Sequence, residues 1–162
     1  MNYPTREVYL AGPIAGLDHD GARYGWRKEF ADLLDTPDLS HILCRSPMRG
    51  KEMLKDVGIL GIAGFGTPHA MTSESGVMTR DYNDVATTDA TVACFLESNG
   101  VLSGGTMIEY GMAFTLHKPV ITIGPQDDPN VRHIMAHRIT GYHVETLEEA
   151  AFIVGHLLTP GI

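Results

Sequence analysis

In the segment Ser103-Gly-Gly-Thr106-Met-Ile-Glu109, two hydroxyls and two glycines come just before a carboxylate. The apolar run Ala90–Leu96 ahead of it reads as a buried strand, and Lys118-Pro-Val-Ile121 opens the next one. The glycines therefore fall between a strand and the N-terminus of a helix predicted from about Thr106 to His117. A helix N-terminus has N–H groups without intrahelical partners and the positive end of the peptide dipole, which together suit a phosphate. A carboxylate in the same turn is placed for covalent or acid–base chemistry on whatever the loop holds. The expectation is an enzyme acting on a small phosphorylated ligand. A second helix, predicted over Val77–Thr87, carries Arg80, Asp81 and Asp84 and offers further carboxylates.

These groups have to be positioned by the remaining elements. Glu7–Ala11 reads as a short strand and runs into Gly12-Pro13-Ile14-Ala15-Gly16, a turn rich in structure breakers. Tyr24, Trp26, Phe30, Leu33 and Leu34 give Ala22–Leu34 a helical apolar face, which Pro37 ends. His41–Cys44 is a second strand, Arg45–Lys51 a basic turn, and Glu52–Val57 a short helix. Residues 58–76 have weak periodicity. A loop that long in a compact domain is functional or mobile, and it is expected to be a lid over the site or an arm used in assembly. Val131–Arg138 is a short helix and Tyr142–Val144 a last strand. Thr146 and Glu149 form a capping box at the start of the C-terminal helix. Alternating strands and helices predict a parallel sheet of about five strands covered on both faces, a flavodoxin-like or Rossmann-like three-layer α/β sandwich. In such sheets ligands sit at the carboxyl ends of the strands, where the loops at 12–16, 45–51 and 97–105 all open.

Composition narrows the function classes. At 162 residues the chain is long enough for one domain with a full core. A formal net charge of −8 argues against a long nucleic-acid partner, whose binding depends on neutralising phosphates with Lys and Arg. No apolar run is long enough to span a bilayer and the first residues do not resemble a signal peptide, so a cytoplasmic location without membrane association is expected. Cys44 and Cys94 sit in apolar runs and read as core. His133 and His137 share a helical face, but no HExxH pattern or paired cysteines accompany them, so no metal is expected.

Tyr9-Leu-Ala-Gly-Pro-Ile14, Arg80-Asp81, Asp89, Ser103-Gly-Gly-Thr-x-x-Glu109-x-Gly-x-Ala and Lys118-Pro-Val together resemble the nucleoside 2-deoxyribosyltransferase superfamily, which includes nucleoside 5′-monophosphate N-glycosidases. The resemblance runs from about residue 7 to 124. It implies that Glu109 is a nucleophile toward the anomeric carbon and Asp81 an active-site carboxylate that contacts the substrate and helps protonate the leaving base. Asp89 reads as structural, and Asp84 has no special claim. Relatives acting on free nucleosides carry an aspartate where this chain has Ser103, and the monophosphate hydrolases carry serine. An aspartate there would repel a 5′-phosphate. Ser103, Gly105 and Thr106 would thus hold phosphate, with the backbone of Gly12, Pro13, Ile14 and Gly16. The first-loop arginine common in those hydrolases is missing here. Arg23, Arg45 or Arg49 could supply the charge, with Arg49 the best placed. Tyr9 lines the pocket or packs in the core, and Trp26 reads as core. Met48, Met71, Met78 and Met107 could wall a base slot, although core packing suits each.

The resulting expectation is retaining cleavage of an N-glycosidic bond in a (2′-deoxy)nucleoside 5′-monophosphate, with no cofactor. Base exchange between free 2′-deoxynucleosides is the alternative. A phosphoribohydrolase of the lysine-decarboxylase-like type, a non-catalytic nucleotide-binding module and an FMN protein are more distant readings. The resemblance also implies a homo-oligomer in which the partner completes the pocket, with Asn130 and His133, in the segment 127–138, as candidate contributors.

Overall fold

The structure is a computed structural model that describes residues 3–67 and 69–161. Met1 and Asn2, on which the N-terminal reading partly rests, Pro68 of the 58–76 loop, and Ile162 lie outside the described residues. Five strands, β1 (Arg6–Ala11), β2 (Ile42–Arg45), β3 (Ala90–Cys94), β4 (Val120–Ile123) and β5 (Tyr142–Val144), form one sheet in the order β2-β1-β3-β4-β5. Every neighbouring pair is parallel. The strand order reverses between β1 and β3, the crevice where flavodoxin-like sheets take their ligands.

Side-chain alternation along β1 builds the two layers. Val8 and Leu10 point to one face and pack with Trp26, Phe30 and Leu34 of α1 (His19–Leu34) and with Ala150, Val154 and Leu158 of α6 (Leu147–Leu158). Tyr9 and Ala11 point the other way, into a cluster with Val85 of α2 (Glu74–Thr87) and Tyr110 and Ala113 of α3 (Gly104–Thr115). Strands buried on both faces read as continuous apolar runs rather than alternating ones, as β3, wholly buried, does.

Two helices start three residues before the expected position, each at a capping side chain. α1 starts at His19 because the Asp18 carboxylate accepts the Gly21 N–H at 2.7 Å, and the helix is kinked at Gly25. α2 starts at Glu74 because Ser73 Oγ accepts from Gly76 N at 3.1 Å. The helix expected over 131–138 is two, α4 (Pro129–Arg132) and α5 (Ile134–Ile139), with His133 in extended geometry between them. The Glu149 N–H donates to Thr146 Oγ1 at 3.2 Å, one half of the capping box, while the Glu149 carboxylate accepts from the Glu145 N–H at 3.3 Å. The segment 58–76 is tied down at Leu60, whose carbonyl accepts from Gly16 N at 2.9 Å and whose N–H donates to Leu17 O at 2.8 Å. The Leu60 side chain is buried with Met48 and Leu54, so this loop is fixed against the first one.

Candidate active site

Glu109 lies on the second turn of α3, 9% exposed, and its carboxylate accepts the Tyr9 hydroxyl proton at 2.5 Å. Tyr9 comes from the middle of β1 and is fully buried, so the sheet itself holds one oxygen of the carboxylate. Burial pushes the Glu109 carboxyl up to about 8, and the charge of Asp81 adds to this. The Tyr9 hydrogen bond and the cations Arg27 and Lys51 oppose the rise. Asp81, on α2, is also raised, first by burial, while Lys51 and Arg80 pull it down. Two like charges in a dry site interact too strongly for both to stay ionised easily.

A cleft of about 330 Å³ opens over this pair. Its walls are Gly61–Phe65 of the long loop, Glu74, Val77, Met78 and Asp81 of α2, and Gly105, Ile108, Glu109 and Met112 of α3. The 58–76 segment is thus a wall of the cleft. A backbone pairing between Gly61 and Gly64 shapes it into a tight turn.

Beneath the first loop lies Arg27, wholly buried, donating to the carbonyls of Leu10 (3.3 Å), Ala22 (2.8 Å) and Gly12 (3.0 Å). Gly12 is required by close approach. A Cβ there would stand 2.8 Å from the Cys94 carbonyl oxygen and 3.1 Å from the Trp26 ring. Ile14 packs with Met48, Leu54 and Leu60. Tyr9, Gly12, Pro13, Ile14 and Gly16 do not line the cleft. Tyr9 reaches the site through its hydroxyl, and the others form the loop after β1.

The glycine loop is held from within the same chain. Asn130 Oδ1 accepts the Ser103 N–H at 2.7 Å, and its amide nitrogen donates to Val101 O at 2.8 Å. Asn130 is fully buried, which corrects the expectation that it could serve a neighbouring subunit: it is committed to its own Ser103 loop. Ser103 Oγ sits 2.8 Å from Thr106 Oγ1, and a Cβ built on Gly104 or Gly105 would meet nothing within 4 Å. Nothing in the protein's packing demands glycine at either position, so the space above them is open to a ligand.

The three arginines expected to supply charge for a phosphate each pair with a carboxylate. Arg49 is engaged by Asp84, with Nη2 2.6 Å from Oδ1 and Nη1 bonded to Oδ2. Asp84 is fully buried and also has Arg45 at 3.7 Å and Arg80 at 4.0 Å. The residue that appeared unremarkable in the sequence is the hub that ties β2, the turn after it and α2 together. Arg45 further pairs with Glu7, and Arg23 lies 2.5 Å from Glu52. None of the three candidate arginines is without a carboxylate partner. Asp89 is structural, accepting from Arg6 and from the Glu7 N–H. Of the four methionines only Met78 lines the cleft, and Met48 is fully buried. Burial pushes both cysteine thiols up to about 12, as suits core residues.

One charged residue near the site escaped the sequence reading. Lys51, just past the Gly50 turn, is fully buried, and its ammonium has no hydrogen-bond partner among the described residues. It stands 4.9 Å from the centroid of the Phe65 ring.

No known family model matches the sequence, and no curated protein does. In three dimensions the chain is similar to a conserved protein from Enterococcus faecalis V583, at TM-score 0.62 and 16% identity, covering 95% of this chain and 99% of that one. It is also similar to the CMP N-glycosidase BcmB of Clostridium botulinum, at TM-score 0.53 and 16% identity over 94% and 100% of the two chains. A molybdenum cofactor binding protein from the phototrophic bacterium Rippkaea orientalis matches at TM-score 0.55 and 15% identity over 98% and 100%. At these identities the likeness is one of fold, a parallel α/β sandwich shared over nearly the whole of each chain.

Proposed function

We propose that this chain cleaves the N-glycosidic bond of a (2′-deoxy)nucleoside 5′-monophosphate with retention, through a glycosyl ester on Glu109. The observation that carries the reading is the buried Tyr9–Glu109 hydrogen bond, with Asp81 on the same cleft and the open glycine turn of α3 beside it. A Glu109 oxygen attacks the anomeric carbon as the bond to the base breaks. Asp81, held toward its protonated form by burial, gives the departing base its proton. Water then attacks the same carbon, the ester bond breaks, and the proton that water loses returns to Asp81. Ser103, Thr106 and the first N–H groups of α3 receive the phosphate. The fold likeness to a CMP N-glycosidase supports the reading, and this chemistry asks for no cofactor.

Base exchange between free 2′-deoxynucleosides is favoured by a different observation. The titratable groups lining the cleft, Glu74, Asp81 and Glu109, are all acidic, and Arg23, Arg45 and Arg49 are paired with carboxylates. A neutral nucleoside meets less repulsion there than a monophosphate. The test is chromatographic detection of free base from a panel of nucleosides and 5′-monophosphates, with and without acceptor base, beside Glu109→Ala. Base released from a monophosphate without acceptor, and lost in the variant, supports hydrolysis. Products formed only when acceptor is present support transfer, and no turnover on any member overturns both. As part of the same reading the chain assembles as a homo-oligomer, which light scattering coupled to size exclusion measures.

A further inference from the structure

A lysine ammonium taken out of water without a hydrogen-bond partner is costly, so its retention in a site calls for a reason. Lys51 is such a group. It is fully buried, none of its donors is used among the described residues, and an apolar neighbour is the Phe65 ring from the cleft-wall loop. Its charge is felt by the two carboxylates of the cleft, Asp81 from α2 and Glu109 from α3.

We propose that Lys51 is a positioning residue of this site, the fixed cation that holds the Asp81–Glu109 pair at one proton, with Phe65 sealing it from water. The inference rests on the proposed reaction, which needs that state: one ionised carboxylate to attack and one protonated carboxyl to release the base. Without the Lys51 charge the buried pair is held more firmly in its doubly protonated form, and less of the nucleophile is ionised. With Lys51 charged, one proton on the pair brings these three groups to neutrality.

The other groups that face the pair differ from it. Arg27, from α1, keeps its charge while its donors go to three main-chain carbonyls, and it opposes the rise of Glu109 more than Lys51 does, whereas Lys51 is the foremost charge acting on Asp81. Arg80 lies 3.5 Å from Asp81 but donates to the carbonyls of Pro47 and Arg49 and also approaches Asp84. Arg49 is bound to Asp84. Tyr9 donates a hydrogen bond to Glu109 without supplying charge. Glu74, at the start of α2, adds negative charge to the cleft wall. Burial, and after it the charge of Arg80, draws the Lys51 ammonium down to about 8, while Asp81 and Glu109 support its charge. The support is mutual, as linkage between charged sites requires.

The test is carboxyl ¹³C NMR titration of Asp81 and Glu109 in the wild type, Lys51→Met and Lys51→Arg. Methionine keeps the length and removes the charge. The expected result is that the pair titrates about one pH unit or more higher in Lys51→Met and returns toward wild type in Lys51→Arg. The acid limb of kcat/KM moves with it, so the rate at pH 7 falls about tenfold. An unchanged titration in Lys51→Met overturns the proposal whatever the activity. If Lys51→Met does not fold, the Lys51 ammonium is titrated instead in the wild type and in Glu109→Gln. Its midpoint falls in the variant if the proposal holds, and an unmoved midpoint overturns it. A wild type that turns over no nucleotide or nucleoside overturns the proposed function, while these titrations still decide the role of Lys51.

Discussion

Replacing Glu109 by Gln should change how stability depends on pH more than it changes stability at any acidic pH. In the folded chain burial and the Asp81 charge raise the Glu109 carboxyl from 4.5 to about 8. A raised acid binds its proton more tightly folded than unfolded. Its contribution is therefore fully present below pH 4.5 and is lost as pH rises through 8. At about 1.36 kcal/mol per pH unit of displacement, the loss across that window is about 3–5 kcal/mol. Glutamine is neutral throughout and keeps an oxygen to accept the Tyr9 hydroxyl, so the variant lacks this slope. Lys51, lowered from 10.5 to about 8, loses its contribution as pH falls from 10.5 through 8 in the wild type and through a lower midpoint in the variant, so its slope bears on the upper end of the window. The assay is urea denaturation of both proteins from pH 5 to 8. The two stability curves should converge at the acid end, with the variant more stable by a few kcal/mol at pH 8. Parallel curves across that range would refute the burial of Glu109 as the cause that raises its carboxyl.

Three other substitutions probe separate links. Asp84→Ala leaves Arg45, Arg49 and Arg80 around an empty buried position and should cost about 3–5 kcal/mol, read as a lower urea midpoint. Tyr9→Phe removes the 2.5 Å hydrogen bond that favours the ionised form of Glu109. It should move the acid limb of the pH–rate profile upward by about one unit with a normal circular dichroism spectrum. Ser103→Asp places a carboxylate beside Thr106 at the start of α3 and should turn preference from monophosphate toward nucleoside by about tenfold or more in kcat/KM. An unchanged ratio would remove Ser103 from the phosphate role.

The architecture was legible because β3 and β4 are short runs of Val, Ile, Ala, Thr and Cys and β1 ends in Val-Tyr-Leu-Ala, all between helices and breakers, a pattern that suits a covered parallel sheet. The glycine loop before Glu109 was legible for the same local reason. What the sequence hid was pairing across long separations. Nothing local distinguishes Asp84 from Asp81, since both are helix aspartates. Three residues decide which of the two is buried under arginines, and two of these, Arg45 and Arg49, come from the β2 end of the sheet. Lys51 reads in sequence as the last residue of a solvated basic turn. Its burial depends on Phe65, which a loop without periodicity brings over it. Asn130, offered in sequence as a partner contact, is buried because α4 folds back against the Ser103 loop.

The most direct test of the central claim is to trap the ester. Wild type is incubated with a 2′-deoxy-2′-fluoro-arabinosyl nucleotide, whose fluorine slows hydrolysis of a glycosyl ester, and the intact protein mass is measured. The account predicts a mass increase equal to the fluorosugar phosphate, mapping to the peptide that carries Glu109 and absent from Glu109→Gln. Release of base with no adduct on wild type, or an adduct on any other residue, would contradict it.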